Sequence, residues 1–161
     1  MTQVELRKNQ SLLVCYGGGQ ILFGIWDLLK PIVSLLSGDI RAMAVKESLE
    51  SEADWQMVLG IIFAVIGFTL LLRIFVGISA IRQGRGKHVS FLHVFFAILL
   101  NFLLVCSWIN TFRPMIESGI LDMTIDDYVM LFVDLTSFVM TMQIIIASLR
   151  IRRAEKEGIH E

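Results

Sequence analysis

The 161-residue chain is 55% hydrophobic and 18% charged, with a formal net charge of −1 and a mean hydropathy of +0.71. Four long apolar runs leave nothing of domain size outside a membrane, and no nucleic-acid partner is expected. The expected fold is therefore all-α, a polytopic membrane protein with one domain over residues 1–161. Its four transmembrane helices fall at about 9–30, 55–82, 88–112 and 127–150 and form a bundle. Each run has the roughly 20 apolar residues a crossing helix needs, and none shows the alternating pattern of a barrel strand.

The first run is longer than a signal-peptide core and reads as a retained helix. Asn9-Gln10-Ser11 has the form of a glycosylation acceptor but lies at the cytoplasmic end of the predicted topology. Within this run Gly17, Gly18 and Gly19 are followed by Gln20 and Gly24. Consecutive glycines weaken a helix by about 1 kcal/mol each in water, so they point to close helix approach or to a distorted segment lining a cavity. Helix two offers Gly60, Ala64 and Gly67 at i, i+4, i+7 as the expected matching small face. At the outer end, Asp27 and Lys30 share a helix face, with Asp134 of helix four at a depth that Lys30 can reach. Either these groups form an outer-leaflet cluster, or Lys30 snorkels and Asp27 neutralises it.

Helix one ends in Trp26-Asp27-Leu28-Leu29-Lys30-Pro31 and helix three in Trp108-Ile109-Asn110-Thr111-Phe112-Arg113-Pro114. A proline frees the carbonyl four residues earlier, here those of Asp27 and Asn110. The simplest expectation ends each helix at its proline; the sharper one makes a polar notch at the mouth of the bundle. The first outer loop, residues 40–49, carries Ile40, Met43, Ala44 and Leu49 among charges, the pattern of a short amphipathic surface helix.

In helix two, Arg73 lies nine residues before Arg82, roughly 13 Å into the membrane at helical rise. Gln20, Asn101 and Gln143 fall at comparable depth on the other helices, so Arg73 either joins a buried polar layer or snorkels to the inner headgroups. Gly84-Arg85-Gly86-Lys87 is a tight basic turn that sets topology and meets headgroups. His88 and His93, near the start of helix three, mark an interface and lack the partners of a metal site. Cys15 and Cys106 lie at depths too different for an intrachain disulfide. Helix four carries Asp134 and Gln143 and ends in a basic tail, Arg150 to Lys156, that reads as an inner-leaflet anchor, its interspersed acids weighing against a specific lipid.

Most of the 14 Lys and Arg lie in the N-terminal tail, the second loop and the C-terminal tail, whereas Asp and Glu crowd the first and third loops. The positive-inside rule then puts both termini in the cytoplasm and the protein in the plasma (inner) membrane. Helices two and four each open on Asp-aromatic and close on a small-residue phrase plus Arg. With the shared end of helices one and three, this outlines a duplicated helical hairpin; interfacial recruitment of aromatic and basic residues gives the same look.

No catalytic, metal-binding or cofactor motif is present, and helix four lacks the repeated arginines of a voltage sensor. The leading expectation is a non-enzymatic, oligomeric channel or transport-pathway subunit for an ion or small solute. Asp27, Lys30 and Asp134 would line an outer vestibule, and Arg73 would set charge preference below it. A pore must turn these groups to water; burial and mutual pairing of all of them would remove its channel form. The alternative is an accessory or scaffold subunit of a larger membrane complex, and a distant third is a lipid-modifying enzyme using Asp134 or His93. The expected partners are the lipid bilayer and either further copies or a larger membrane protein.

Overall fold

A computed structural model describes residues 2–37, 52–118 and 125–156. They form four helices: α1, Gln3–Ser37; α2, Glu52–Gly84; α3, Leu92–Ser118; and α4, Ile125–Lys156. All four are long and apolar enough to cross a membrane. The amphipathic segment expected at 40–49 lies outside the described residues.

The helix ends have local causes. Thr2 and Glu5 form a capping box: the Thr2 N–H donates to Glu5 Oε2 (2.9 Å) and the Glu5 N–H to Thr2 Oγ1 (3.3 Å). At the far end of α2, Lys87 N–H donates to the Arg82 carbonyl and Gly86 N–H to the Gln83 carbonyl, both at 3.0 Å. Gly86 has φ +73°, completing the left-handed glycine stop that turns the chain into α3. The prolines do not end their helices. α1 continues past Pro31 to Ser37 and α3 past Pro114 to Ser118. One lost N–H donor is tolerated in a long apolar helix whose flanking bonds persist.

The helices run alternately up and down. α1 packs on α2 and α4, and α3 on α4 and α2. The N-terminus of α1, the α2–α3 turn and the C-terminus of α4 therefore share one end, called here the inner end. The core at this end is small and aliphatic: Leu13, Val76, Ala80, Ala97, Ile144, Ala147 and Ile151. The outside is apolar, with Phe63, Phe68, Phe95, Phe102 and Phe132 all at least 40% exposed. Several buried side chains are polar, including Gln20, Arg73, Gln83, His93, Ser137, Thr141 and Ser148. An apolar skin over a hydrogen-bonded interior suits lipid, not water.

The α1–α2 contact depends on glycine, at different places from those the small-residue spacing suggests. A Cβ on Gly17 would lie 2.7 Å from the Gly77 carbonyl oxygen, and one on Gly77 would lie 2.6 Å from the Gly17 oxygen. Seven residues inward, a Cβ on Gly84 would meet the Gln10 oxygen at 2.6 Å. The backbones touch there, which no larger residue permits. Gly60 and Gly67 have no atom of another described residue within 4 Å of an added Cβ, and Ala64 is exposed. On α1, Gly18 is similarly open, whereas Gly19 meets the Met140 sulfur of α4. The reason is azimuth: Gly60 and Gly67 lie roughly 100° around α2 from the stripe of Gly77 and Gly84 that meets α1.

Candidate functional site: a buried arginine layer

Arg73 organises the middle of the bundle. Its Nη1 donates to Gln20 Oε1 (3.1 Å) on α1 and to Ser137 Oγ (2.5 Å) on α4, while Nη2 pairs with Asp27 Oδ2 at 2.9 Å. Gln20 is oriented in turn: its Nε2 donates to Thr141 Oγ1 (2.5 Å) and to the Ser137 carbonyl (3.2 Å). Thr141 Oγ1 donates to the same carbonyl at 2.8 Å. Three helices are thus tied at one level by hydrogen bonds made within the chain. Gly24 makes this layer fit, since a Cβ there would sit 3.3 Å from Arg73 Cβ.

Arg73 does not snorkel to the inner headgroups. Side chains lean toward the N-terminus of their own helix, and for α2 that end is the outer one. The guanidinium therefore reaches outward to Asp27, which lies seven residues beyond Gln20 on α1, about 10 Å along the axis. Both side chains of the pair are sheltered, at 7% exposure for Arg73 and 25% for Asp27. An ion pair in hydrocarbon is retained only when such desolvation is offset by hydrogen bonds.

The other residues singled out from sequence are dispersed. Asp134 is half-buried on α4, one turn outward of Ser137. The side chain of Lys30 lies outside the described residues. Asn101 of α3 is buried at 8% exposure, and its Nδ2 has no partner among the described residues; the same holds for Trp108 Nε1, whose ring packs 5.7 Å from Phe138. Gln143 sits away from the layer and lines a crevice at the inner end with Lys8 and Arg150. Cys15 and Cys106 are free thiols.

A second polar cluster, nearer the inner end, ties α2, α3 and α4. His93 is fully buried; Nδ1–H donates to the Ser90 carbonyl at 2.7 Å. Nε2 lies 3.2 Å from Ser148 Oγ and 3.0 Å from Gln83 Oε1. A neutral ring accepts from the Ser148 hydroxyl and, with the Gln83 amide turned over, from its NH2; an imidazolium instead donates to Gln83 Oε1. Gln83 Nε2 also reaches the Ser148 carbonyl at 3.4 Å. Ser137, Thr141, Gln83 and Ser148 escape sequence reasoning because lone hydroxyls and amides are ordinary in apolar helices. Their only available signal is spacing: Ser137 and Thr141 are i, i+4, and Thr141 and Ser148 are i, i+7, which places all three on one face of α4.

Chemically, the layer is a clamp. No group of three or more His, Cys, Asp or Glu able to hold a metal occurs among the described residues. No protein-family model, curated protein or solved structure matches this chain, so its function has to be argued from its own geometry.

Proposed function

We propose that the protein is a non-enzymatic integral membrane subunit with both termini in the cytoplasm, acting as an accessory or scaffold component of a larger membrane assembly. One observation carries this: outward of Gly24, Leu72, Asn101 and Ser137, no described residue of any helix is buried. The inner half is a finished bundle, whereas the outer half leaves the small face of Gly60, Ala64 and Gly67 open beside exposed Ile61, Phe63 and Phe68. Small residues let membrane helices approach closely, and helices contributed by another protein supply what this half lacks. The hydrogen bonds of Arg73, made to other helices of the bundle, favour this reading over a pore, whose lining groups must face water.

A second reading keeps the transport pathway, as an oligomer whose outer vestibule reaches Asp27. The partial exposure of that carboxylate, on the outer side of Arg73, is what favours it. Native mass spectrometry of the protein extracted gently from its own membrane separates the two. A defined mass containing another polypeptide is the expected result. A closed homo-oligomer would shift the assignment to the pathway and call for flux assays on D27N and R73Q. A monomer in every mild detergent would overturn both.

A further inference from the structure

The inner end of α4 bears two crevices, of about 670 Å³ on the α1 side and about 600 Å³ on the α3 side, and Arg150 and Arg153 line both. We propose that these crevices form a binding site for an anionic phospholipid of the inner leaflet, its phosphate held between Arg150 and Arg153. Four observations support the assignment. Charge is one-sided: Lys8 joins the two arginines on the α1 side and Arg152 joins them on the α3 side, against Glu5 as the one carboxylate among the described residues that line either crevice. That carboxylate accepts the Thr2 N–H in the capping box and also faces the Arg150 charge, which leaves three cations to one acid on the α1 side.

Arg150 and Arg153 are one turn apart, and like charges at that spacing repel. A phosphate between them converts the repulsion into a bidentate contact. Arg152 is fixed in place, with Nη2 donating to the Val89 carbonyl (2.6 Å) and its guanidinium 5.0 Å above the Phe91 ring, so the α3-side wall is preformed.

The lining also changes character with depth in the manner of a lipid. Ile146, Leu149 and Phe91 are exposed at 38%, 46% and 47% and offer acyl-chain contact below the cations. The apolar span of α4, Tyr128–Glu155, covers 28 residues, about 40 Å at helical rise against a hydrocarbon core of about 30 Å. Arg150 and Arg153 therefore fall at headgroup depth, and a free phosphate would use only the upper part of such a site.

The test uses the full-length protein in a neutral detergent, titrated with dioleoyl-phosphatidylglycerol or dioleoyl-phosphatidylcholine, with bound lipid counted by native mass spectrometry. The phosphatidylglycerol adduct is expected to dominate. Removing cations should weaken it by about fivefold for K8Q and about twentyfold for R150Q/R153Q. R85Q/K87Q, which removes equal charge from the exposed α2–α3 turn, should leave it unchanged. Lys8 lies on a different helix and is exposed, so K8Q keeps the test decisive should the double variant misfold. Equal retention of the two lipids, an unaltered preference in R150Q/R153Q and K8Q, or an equal loss in R85Q/K87Q would overturn the proposal. So would full displacement of phosphatidylglycerol by inorganic phosphate, which would make the ligand a free anion.

Discussion

Inward of the Arg73 layer, each helix buries a face: Leu13 and Gly17 of α1, Val76 and Ala80 of α2, His93 and Ala97 of α3, Ile144 and Ser148 of α4. Outward of Gly24, Leu72, Asn101 and Ser137, the same four helices bury nothing among the described residues. Hydropathy does not explain the contrast, because both halves are apolar. What differs is the packing vocabulary. The inner half combines glycine-to-backbone contact with side-chain hydrogen bonds across helices, the two means by which helices associate in lipid when burial of apolar area gives no net drive. The outer half has the small residues but no described neighbour to use them.

The contrast can be broken most severely at the layer that separates the halves. R73M removes three hydrogen-bonded contacts at once, the ion pair with Asp27 among them. Loss of one partner from a buried pair costs about 3 kcal/mol, and equilibrium unfolding in mixed micelles should show a loss of that size. Adding D27N to R73M should recover part of it, because a carboxylate deprived of the Arg73 charge carries much of the penalty. A loss below about 1 kcal/mol would mean that the layer is solvated rather than a clamp.

Next in size is the glycine seam. G77A places a methyl 2.6 Å from a backbone oxygen on α1, and that helix must move to admit it. Overpacking of this kind costs about 1–3 kcal/mol. G17A should behave alike and, because the two residues share one contact, the double variant should cost less than the sum. Smaller still is S148A, which withdraws one hydroxyl from buried His93. Side-chain hydrogen bonds between membrane helices average about 0.6 kcal/mol, and the same unfolding assay should register a change of that order. No change would indicate that Gln83 alone satisfies Nε2.

These sizes bear on which features the amino-acid sequence makes legible. The four crossings are legible because length and apolarity are local properties. The observed helices extend beyond the expected ends through polar turns that hydropathy does not score, except that α3 begins at Leu92 and not at 88, because the turn after Gly86 occupies those residues. A polar layer around Arg73 and Gln20 is legible from depth alone, since two buried polar groups at one level must be satisfied. Its closure is not: Asp27 and Ser137 are 46 and 64 positions from Arg73, and only helix azimuth decides which acid or hydroxyl it meets. The outward lean of the Arg73 side chain follows from the direction of α2, and that direction alone opposes inner snorkelling. Glycine shows the opposite failure. Spacing picks out Gly60, Ala64 and Gly67, yet Gly77, Ala80 and Gly84 carry the contact, because spacing defines a stripe without saying what faces it. The prolines mislead for a related reason, since a helix with lipid around it has no better alternative than to continue.

The smallest expected effect is also the one that sharpens the contrast furthest. G60A and G67A add methyl groups that meet no described atom of the chain, so the stability of the isolated protein should change by no more than about 0.5 kcal/mol. If the outer half is completed by other helices, the same substitutions should weaken the assembly recovered from the native membrane, because a face built for close approach loses its contact when a methyl intervenes. Native mass spectrometry of the membrane extract, read beside unfolding of the purified chain, measures both quantities on the same variants. Unchanged stability with a lost assembly would assign the open face to a partner. Unchanged stability with an unchanged assembly would mean that lipid covers the outer half and that the partner, where one exists, sits elsewhere. A loss of stability in the isolated chain would instead place Gly60 and Gly67 against residues of the chain itself, and would remove the distinction between the two halves.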